Sequence, residues 1–562
     1  MSTSDDIERQ TVVTSNEIKR EPKQCQLAAS EHDEENLLPV VDDVPFPVWL
    51  LAFVGAAERF VWYGATSPLP ENYIQHTPSS KIPGVLGLRE ATATNIVNAM
   101  MAGGYLATIP AAVVADTWLG RYRTILVSAL IQLCGSAILF ATSFPRAVQA
   151  GAAEGGLAIA IMLIALGSGG VRSSVAPFIA EQYTETTPKV KMLKNGRKVI
   201  TDRELTIQYI YNVYYWTVNI GGLSALITTV LEKYVGYWVA YLVPLCMMAV
   251  SLVPLLAWRH TFVRHPPSGS VLPQASRALV YGIREGFQMD AAKPQKQQEK
   301  HQRQVPWTDT FIDELKSGLL ACRVLYASPA LDIDSNAWTT DMIPSSSLLF
   351  PIHWLCLNQT FNNLISQAGQ MVNSGVPNDT IKSLNPISSI LLTPVVSRGL
   401  YPFLTRRRIP FGPMARILVG FLFLTLAMVY TAILQKLVYS TGPCYDQPLA
   451  CPESDHGHIP NQISMFLQTP IYILGAIAEI FCFTTGTEFA YNQAPKTMKS
   501  VVQSVWMATA GVGACLAMVF TPITKDPYLV IMYSSLAGVM VLTTVLFGIF
   551  FGKHDRRKTL LL

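Results

Sequence analysis

The segment Val48–Gly64, VWLLAFVGAAERFVWYG, places an acid and a base, Glu58 and Arg59, side by side inside the first long apolar run of the chain. An apolar stretch of about 20 residues is long enough to cross a bilayer as a helix. A charged side chain near the bilayer centre costs roughly 2.5–3.5 kcal/mol on insertion scales, so such residues usually face a wet interior and mark a pathway. The pair therefore predicts either a transport pathway or a structural ion pair that locks helices together.

The composition is that of an integral membrane protein. Half of the 562 residues are hydrophobic and 14% are charged, whereas about a quarter of the residues are charged in an average soluble protein. The net charge of +4 gives no indication of nucleic-acid binding. The nine cysteines are scattered, without a CxxC pair or a Cys/His cluster, so the sequence predicts neither a metal site nor a cofactor.

Twelve apolar spans can be counted along the chain. They lie near residues 47–67, 96–116, 123–143, 155–180, 207–231, 236–257, 346–368, 383–403, 411–436, 465–489, 499–521 and 527–552. Six spans, a long polar break and six further spans form the pattern of the major facilitator fold, whose two halves rock around a central site. The sequence therefore predicts an all-α integral membrane protein with twelve transmembrane helices in two six-helix bundles.

The same pattern divides the chain into five regions. These are a polar N-terminus over 1–45, an N-terminal bundle over 46–257, a loop over 258–345, a C-terminal bundle over 346–552 and a tail over 553–562. We expect the N-terminus to be disordered and cytosolic, because it is polar and acidic and has no apolar core. Within the loop, the amphipathic stretch Trp307–Tyr326 predicts a helix on the membrane surface.

The distribution of lysine and arginine predicts the orientation. These residues are concentrated in loops that share one side of the membrane, notably 121–123, 189–198 and 406–408. Because positively charged loops stay in the cytosol, we expect both termini to be cytosolic. We expect a multi-pass protein of the plasma membrane, with the vacuolar membrane as the alternative.

This orientation places two sequence features outside the cytosol. Cys444 and Cys451 lie in one polar loop on that side, which predicts a disulfide between them. The tripeptide Asn378-Asp379-Thr380 makes Asn378 a candidate glycosylation acceptor.

Polar side chains in two spans predict a wet cavity between the bundles. In the fifth span, Asn212, Tyr215 and Asn219 follow one another at i, i+3 and i+7, on one helical face. The seventh span carries Asn358, Gln359, Asn362, Asn363 and Gln367. A lipid-facing helix cannot satisfy so many amides. Hydrogen bonding between helices, without any substrate, is the alternative.

Charged residues occur in the fourth and tenth spans as well. Arg172 follows the glycine-rich run 167–170 and is the obvious cationic partner for an intramembrane carboxylate or for a substrate carboxylate. The tenth span carries Glu479 and Glu488. Nine residues on a helix separate these two acids onto roughly opposite faces, so we expect different roles for them.

Several motifs together resemble the proton-dependent oligopeptide transporter family in its fungal form. Similar motifs occur in order at 58–64 (ERFVWYG), 115–125 (ADTWLGRYRTI), 167–172 (GSGGVR), 214–221 (YYWTVNIG), 385–387 (NPI) and 488–500 (EFAYNQAPKTMKS). The resemblance covers about residues 46–552 and implies uptake of di- and tripeptides together with protons.

The resemblance also implies roles for individual residues. Asn219, Asn385 and Glu479 are expected to hold the amino terminus of a peptide, since amide oxygens and a carboxylate suit an ammonium group. Arg172 is expected to hold the carboxylate end. Tyr63 and Ser174 are further expected substrate contacts. The expected residues of proton coupling and its salt bridges are Glu58, Arg59, Arg172 and Glu488.

The chain departs from the family pattern at the positions that concern protons. The first glutamate of the family motif is replaced by Gly55, and the lysine of the fourth helix is replaced by Arg172, which cannot titrate usefully. The asparagine two residues later is Ser174. These changes predict an eroded proton relay beside an intact clamp for the amino terminus.

Three functions fit the sequence. The first is a secondary active transporter of small peptides or peptide-like compounds. The second is an exporter or facilitator of a peptide-derived metabolite, and the third is a membrane sensor that does not transport. An enzyme is not expected, because the sequence contains no recognisable set of nucleophile, base and orienting group.

Overall fold

The computed structural model describes most of the chain. The described residues are 37–69, 73–74, 84–185, 187–192, 198–267, 269, 271–285, 289–316, 349–359, 362–373, 375–407, 411–454, 459–493 and 499–551. The predicted tail over 553–562 and most of the predicted N-terminal region over 1–45 lie outside these residues. So does the second half of the predicted surface helix, of which 309–316 is helical.

The N-terminal half forms six membrane crossings and a small sheet. In chain order it contains β1 (Leu38–Val40), α1 (Phe46–Thr66), α2 (Glu90–Leu106), α3 (Thr108–Val114), a π-helical turn (Ala115–Leu119), α4 (Arg121–Thr142), α5 (Pro145–Gln149), α6 (Ala152–Glu181), β2 (Val190–Met192), β3 (Lys198–Thr201), α7 (Arg203–Gly222), α8 (Ser224–Tyr234) and α9 (Tyr237–Ala257). The crossings are α1, α2 with α3, α4, α6, α7 with α8, and α9.

The loop between the halves and the C-terminal half follow. They contain α10 (Leu272–Arg284), a 3-10 helix (Met289–Ala292), α11 (Pro294–His301), α12 (Leu349–Asn358), α13 (Asn363–Gly369), β4 (Met371–Val372), a 3-10 helix (Asn378–Ser383), α14 (Leu384–Pro394), a π-helical turn (Val395–Leu400), α15 (Tyr401–Arg406), α16 (Pro413–Tyr439), a 3-10 helix (Pro452–Ser454), β5 (Asn461–Ser464), a 3-10 helix (Met465–Gln468), α17 (Thr469–Glu479), a π-helical turn (Ile480–Thr484), α18 (Thr485–Gln493), α19 (Lys499–Phe520), a 3-10 helix (Thr521–Ile523) and α20 (Leu529–Phe551). The crossings are α12 with α13, α14 with α15, α16, α17 with α18, α19 and α20.

Eight helices in the described part of the chain are long and apolar enough to cross a membrane, judged by length and composition. The other four crossings are α1, α7 with α8, α12 with α13, and α14 with α15. These four carry charged or amide side chains such as Glu58, Asn219, Asn362 and Asn385.

Small residues bring the helices of the N-terminal bundle together. A Cβ atom on Gly167 of α6 would lie 2.6 Å from the backbone carbonyl oxygen of Ser128 on α4. Glycine at this position therefore permits a close approach of the two backbones, as small residues commonly do between membrane helices. The packing fixes α6, and with it Arg172, against the rest of the bundle.

The structure adds short strands that the sequence pattern did not predict. Strand β1 pairs in parallel with β3, which pairs antiparallel with β2. Asp42, just after β1, forms an ion pair with Lys191 and accepts a 2.8 Å hydrogen bond from the Tyr183 hydroxyl. Although burial acts to raise it, the hydrogen bond and charge of Lys191 hold the pKa of Asp42 below its usual value. The segment before α1 is thereby anchored to the loop after α6.

Hydrogen bonds join the two bundles at the end that the sequence analysis assigns to the outside. The pairs are Asn362 Nδ2 to Asn98 Oδ1 at 2.8 Å, Thr521 Oγ1 to Asn95 Oδ1 at 2.7 Å, and Thr229 Oγ1 with Thr380 Oγ1 at 2.9 Å. The structure therefore represents a state that is closed on the predicted outer side.

Two further predictions concern this outer side. A disulfide joins Cys444 and Cys451, whose Cα atoms are 5.4 Å apart, as the sequence predicts. Asn378, the candidate glycosylation acceptor, lies in a buried 3-10 helix and is only 9% exposed. In this closed state its amide is not accessible for modification.

Candidate functional site

The charged residues of the first and fourth crossings form one buried group. Arg172 Nε on α6 donates a 3.0 Å hydrogen bond to Glu58 Oε1 on α1. The Ser168 hydroxyl, one turn earlier on α6, donates to the same carboxylate oxygen. Arg172 is thus the partner of Glu58, and Ser168 is a supporting residue that the sequence analysis did not single out.

The rest of the Arg172 guanidinium is surrounded by aromatic rings. Its Cζ atom lies 4.3 Å from the centroid of the Trp62 ring and 5.2 Å from that of Tyr105. The Nη1 and Nη2 atoms are buried and have no hydrogen-bond partner among the residues that the structure describes. A guanidinium whose Nε is already paired, and whose two terminal nitrogens remain available, is suited to a carboxylate ligand.

Arg59 occupies a different position from Glu58, although the two are adjacent in sequence. Its guanidinium lies 5.8 Å from the ring centroid of Tyr63, one turn further along α1. Its charge also interacts with that of Glu479 on the opposite bundle. Arg59 and Tyr63 therefore belong to the space between the bundles.

The C-terminal bundle contributes a carboxylate with amide support. Asn385 Nδ2 on α14 donates a 3.3 Å hydrogen bond to Glu479 Oε2 on α17. The Ser389 hydroxyl contacts Asn385 Oδ1 at 3.4 Å. The structure therefore brings together two of the three residues expected to hold an ammonium group.

The other expected site residues behave differently. Asn219 on α7 donates through Nδ2 to the Tyr215 carbonyl oxygen at 2.9 Å, within its own helix. Ser174 is buried, and its hydroxyl lies 3.3 Å from that of Ser173. No recorded contact joins Ser174 to the Arg172 group within the described residues.

Glu488 lies outside the central group. Its side chain is 41% exposed, and its Oε2 atom lies 3.8 Å from Arg416 Nη1 on α16. A π-helical turn, Ile480–Thr484, separates it from Glu479. Glu479 and Glu488 thus have different surroundings, as their spacing predicts, and the recorded ion pair of Glu488 is with Arg416.

Gly55 faces a side chain that fills the space beside it. A Cβ atom at Gly55 would lie 2.4 Å from Tyr214 Cε2 and 3.0 Å from its hydroxyl oxygen. The charges of Glu58, Arg59 and Arg172 all act on this tyrosine. A neutral phenol from α7 therefore occupies the position toward which a side chain at residue 55 would project.

Aromatic contacts across the bundles complete the site. Tyr215 of the N-terminal bundle stacks on Phe483 of the C-terminal bundle, with ring centroids 5.7 Å apart. Tyr105 and Trp354 face each other across the same boundary at 6.3 Å. The sequence analysis missed Phe483, because aromatic residues in apolar spans give no distinct signal.

The site therefore has two poles of opposite charge on opposite bundles, with aromatic surfaces between them. The N-terminal bundle presents the Arg172 guanidinium, and the C-terminal bundle presents the Glu479 carboxylate. Such a site is complementary to a small zwitterion with an apolar middle. No group of three or more His, Cys, Asp or Glu residues suited to a metal occurs in the described part of the chain.

Comparisons with known proteins agree with this geometry. A sequence profile described as PTR2, POT family, matches residues 122–537. The peptide transporter PTR_A of Candidozyma auris is 36% identical over 524 residues, which cover 93% of this chain and 84% of that protein. The peptide transporter PTR2 of Saccharomyces cerevisiae is 32% identical over 527 residues, which cover 94% of this chain and 82% of that protein.

Solved structures with the same fold are more distant in sequence. The crystal structure of the POT family transporter PepTSo superposes with a TM-score of 0.66 at 21% identity, covering 92% of this chain and 99% of that one. A POT family transporter in complex with a thioalcohol conjugated peptide gives a TM-score of 0.61 at 19% identity, covering 91% and 97%. These likenesses support the fold of two six-helix bundles.

Proposed function

Because this chain belongs to the POT family, we propose that it is a secondary active transporter of small peptides or peptide-like compounds. The transport works by alternating access, in which the two bundles rock around the central site. The observation that carries the proposal is the separation of charge between Arg172 on α6 and Glu479 on α17, at a site shared by both bundles.

The chemistry of a short peptide matches this separation. A di- or tripeptide carries an ammonium group at one end and a carboxylate at the other. The Glu479 carboxylate and the Asn385 amide suit the ammonium group, and the two available nitrogens of Arg172 suit the carboxylate. The aromatic pairs between the poles suit side chains of varied shape, since aromatic surfaces offer large apolar contact areas.

Proton coupling through α1 is a separate part of the proposal. The family motif has a glutamate where this chain has Gly55, and Tyr214 occupies the adjoining space. Glu58 remains, but its carboxylate is already engaged by Arg172 at 3.0 Å and by the Ser168 hydroxyl. We therefore propose that α1 carries little or no proton coupling, which leaves facilitated exchange as the alternative to ordinary symport.

The location belongs to the proposal as well. The chain is a multi-pass membrane protein, and we place it in the plasma membrane with both termini in the cytosol, from the distribution of positive charge among its loops. The N-terminal anchor at Asp42 and Lys191 then lies on the cytosolic side.

Counterflow in proteoliposomes tests the transport function directly. Vesicles containing the purified chain are loaded with an unlabelled dipeptide, and entry of a trace of labelled dipeptide is measured at equal pH on both sides. We expect labelled dipeptide to accumulate transiently, and an N-acetylated dipeptide that lacks the ammonium group to compete poorly. Absence of counterflow for a panel of di- and tripeptides would contradict peptide transport.

A further inference from the structure

The Arg172 guanidinium is held in two ways by one face of α1. Glu58 and Trp62 are four residues apart on this helix, so their side chains lie one above the other. The Glu58 carboxylate accepts the 3.0 Å hydrogen bond from Arg172 Nε, and the centroid of the Trp62 ring lies 4.3 Å from Arg172 Cζ. The hydrogen bond limits rotation within the guanidinium plane, and the indole limits tilting of that plane.

The remaining donors of this guanidinium have no acceptor. The Ser168 hydroxyl, one turn before Arg172 on α6, donates to the same Glu58 oxygen and fixes the carboxylate on that side. The Nη1 and Nη2 atoms of Arg172 are buried and have no hydrogen-bond partner among the residues that the structure describes. Because a buried donor without an acceptor costs free energy, the group is incomplete as a structural ion pair and is completed by a ligand.

A glycine on α2 fixes the position of the indole. A Cβ atom on Gly104 would lie 2.8 Å from Trp62 Cη2 and 3.1 Å from its Cζ3, so the far edge of the indole rests close against the α2 backbone. Trp62 is 2% exposed. The ring of Tyr105, 5.2 Å from Arg172 Cζ, is partly exposed. Of the two rings, Trp62 is therefore the fixed wall, and Tyr105 has room to move when a ligand enters.

The chemistry of arginine makes this restraint matter. An ammonium group acts as a point charge, whereas a guanidinium binds a carboxylate best when two N–H groups and two oxygens meet in one plane. The family pattern has a lysine in the fourth helix, and this chain has Arg172. The arginine needs a neighbour that fixes its plane, and the contact with Trp62 supplies one.

We infer that Trp62 is a positioning residue for the carboxylate end of the substrate, because its indole holds the Arg172 fork in the plane that receives both oxygens of a terminal carboxylate. The inference rests on the proposed peptide transport. It adds that this end is recognised by geometry as well as by charge. An amide offers one acceptor oxygen and an NH₂ donor group, so it does not fill the fork.

Binding of one dipeptide and of its amide measures this selection. The dissociation constants of alanylalanine and of its C-terminal amide are determined on the purified full-length protein. Both ligands carry the ammonium group, so their ratio isolates the carboxylate end from the Glu479 pole. We expect the unaltered chain to prefer the free acid by about tenfold to a hundredfold, as for the loss of a charge-assisted hydrogen bond.

Two substitutions disturb the indole in different ways. Trp62→Leu removes it, and Gly104→Ala keeps it but places a methyl group against its far edge. We expect Trp62→Leu to reduce the preference for the free acid by about tenfold, within the range of desolvated cation–π contacts, and Gly104→Ala to reduce it by a smaller factor. Gly103→Ala is the matched control and should preserve the preference, since its Cβ would meet Ala165 Cβ at an ordinary 3.6 Å.

The same substitutions combined with Arg172→Lys separate positioning from packing. A lysine has no plane to be held, so Trp62→Leu should leave the remaining preference for the free acid unchanged when Arg172→Lys is present. General loosening of α1 would instead lower the preference with and without Arg172→Lys. The difference between the two effects is the coupling between the indole and the guanidinium.

A preference that neither Trp62→Leu nor Gly104→Ala changes overturns the inference, and so does an equal fall with and without Arg172→Lys. If thermal unfolding shows that Trp62→Leu is not folded, Gly104→Ala decides alone, because it retains the aromatic ring. Equal affinity of the unaltered chain for acid and amide overturns the inference and leaves peptide counterflow standing. Binding of neither ligand, without counterflow, contradicts the proposed function and the inference with it.

Discussion

Arg172 and Glu479 bear opposite charges in opposite bundles, and different kinds of side chain hold them in position. Arg172 is held through its Nε atom by the carboxylate of Glu58, which leaves its two terminal nitrogens for a ligand. Glu479 is supported by a neutral amide, Asn385, and the charge of Arg59 on the other bundle acts on it. At the level of single residues, Glu479 is therefore the group whose charge is most available to a substrate cation.

Replacement of this carboxylate should remove peptide binding. We expect Glu479→Gln to weaken dipeptide affinity by about tenfold to a hundredfold, because a charge-assisted hydrogen bond contributes roughly 1.5–3 kcal/mol. The measurement is equilibrium binding of a labelled dipeptide to the purified protein. Glu488→Gln is the matched control, since Glu488 is partly exposed and pairs with Arg416. Unchanged affinity in Glu479→Gln would exclude the role.

The sequence could identify most of the charged site but not its neighbours. Glu58, Arg172, Asn385 and Glu479 stand out because polar residues in apolar spans are rare. Tyr214 does not stand out, and its contact with Gly55 depends on the packing of α7 against α1. The sequence shows that Gly55 stands where the family motif has a glutamate. Only the structure shows that the Tyr214 side chain fills the space beside it.

At the level of elements, several crossings depart from the regular helices that the apolar runs predict. In the part of the chain that the structure describes, π-helical turns lie at the end of the second crossing and within the eighth and tenth, and the one in the tenth follows Glu479 directly. Turns of this kind are frequent at functional sites. Hydrophobic periodicity predicts that a span exists and roughly where it lies, but an extra residue in one turn leaves no trace in that pattern.

The loop between α16 and β5 provides a test of orientation. Its Cys444–Cys451 disulfide requires an oxidising compartment, which the cytosol is not. We expect neither thiol to react with an impermeant maleimide on intact cells, and both to react after mild reduction from outside. Closing so short a loop adds about 2 kcal/mol at most to stability, so reduction should leave the protein folded.

Reaction of both thiols without prior reduction would contradict the bond and the orientation together. The control is the Cys444→Ser, Cys451→Ser double variant. It should show no reduction-dependent labelling, because the other described cysteines lie in membrane-spanning helices.

At the level of the whole molecule, proton coupling depends on groups that both sides of the membrane can reach in turn. Coupled transport requires a group that exchanges protons with both sides and senses the substrate. In the family pattern α1 supplies such an acid, and in this chain Gly55 and Tyr214 occupy its place.

The final prediction tests whether the replacement of the family's glutamate by Gly55 removes proton coupling from α1. Vesicles with an imposed inward proton gradient should show weak concentrative dipeptide uptake with the unaltered chain. Gly55→Glu alone should impair the protein, since its side chain would meet Tyr214 at 2.4 Å. Gly55→Glu with Tyr214→Ala gives the carboxylate room beside Glu58 and Arg59, and we expect gradient-driven accumulation to increase severalfold.

Tyr214→Ala alone is the matched control and should not gain this response, because it creates space without an acid. Strong concentrative uptake by the unaltered chain, lost in Glu58→Gln, would contradict the prediction. It would mean that Glu58 gives up its ion pair with Arg172 during the cycle and carries the proton itself.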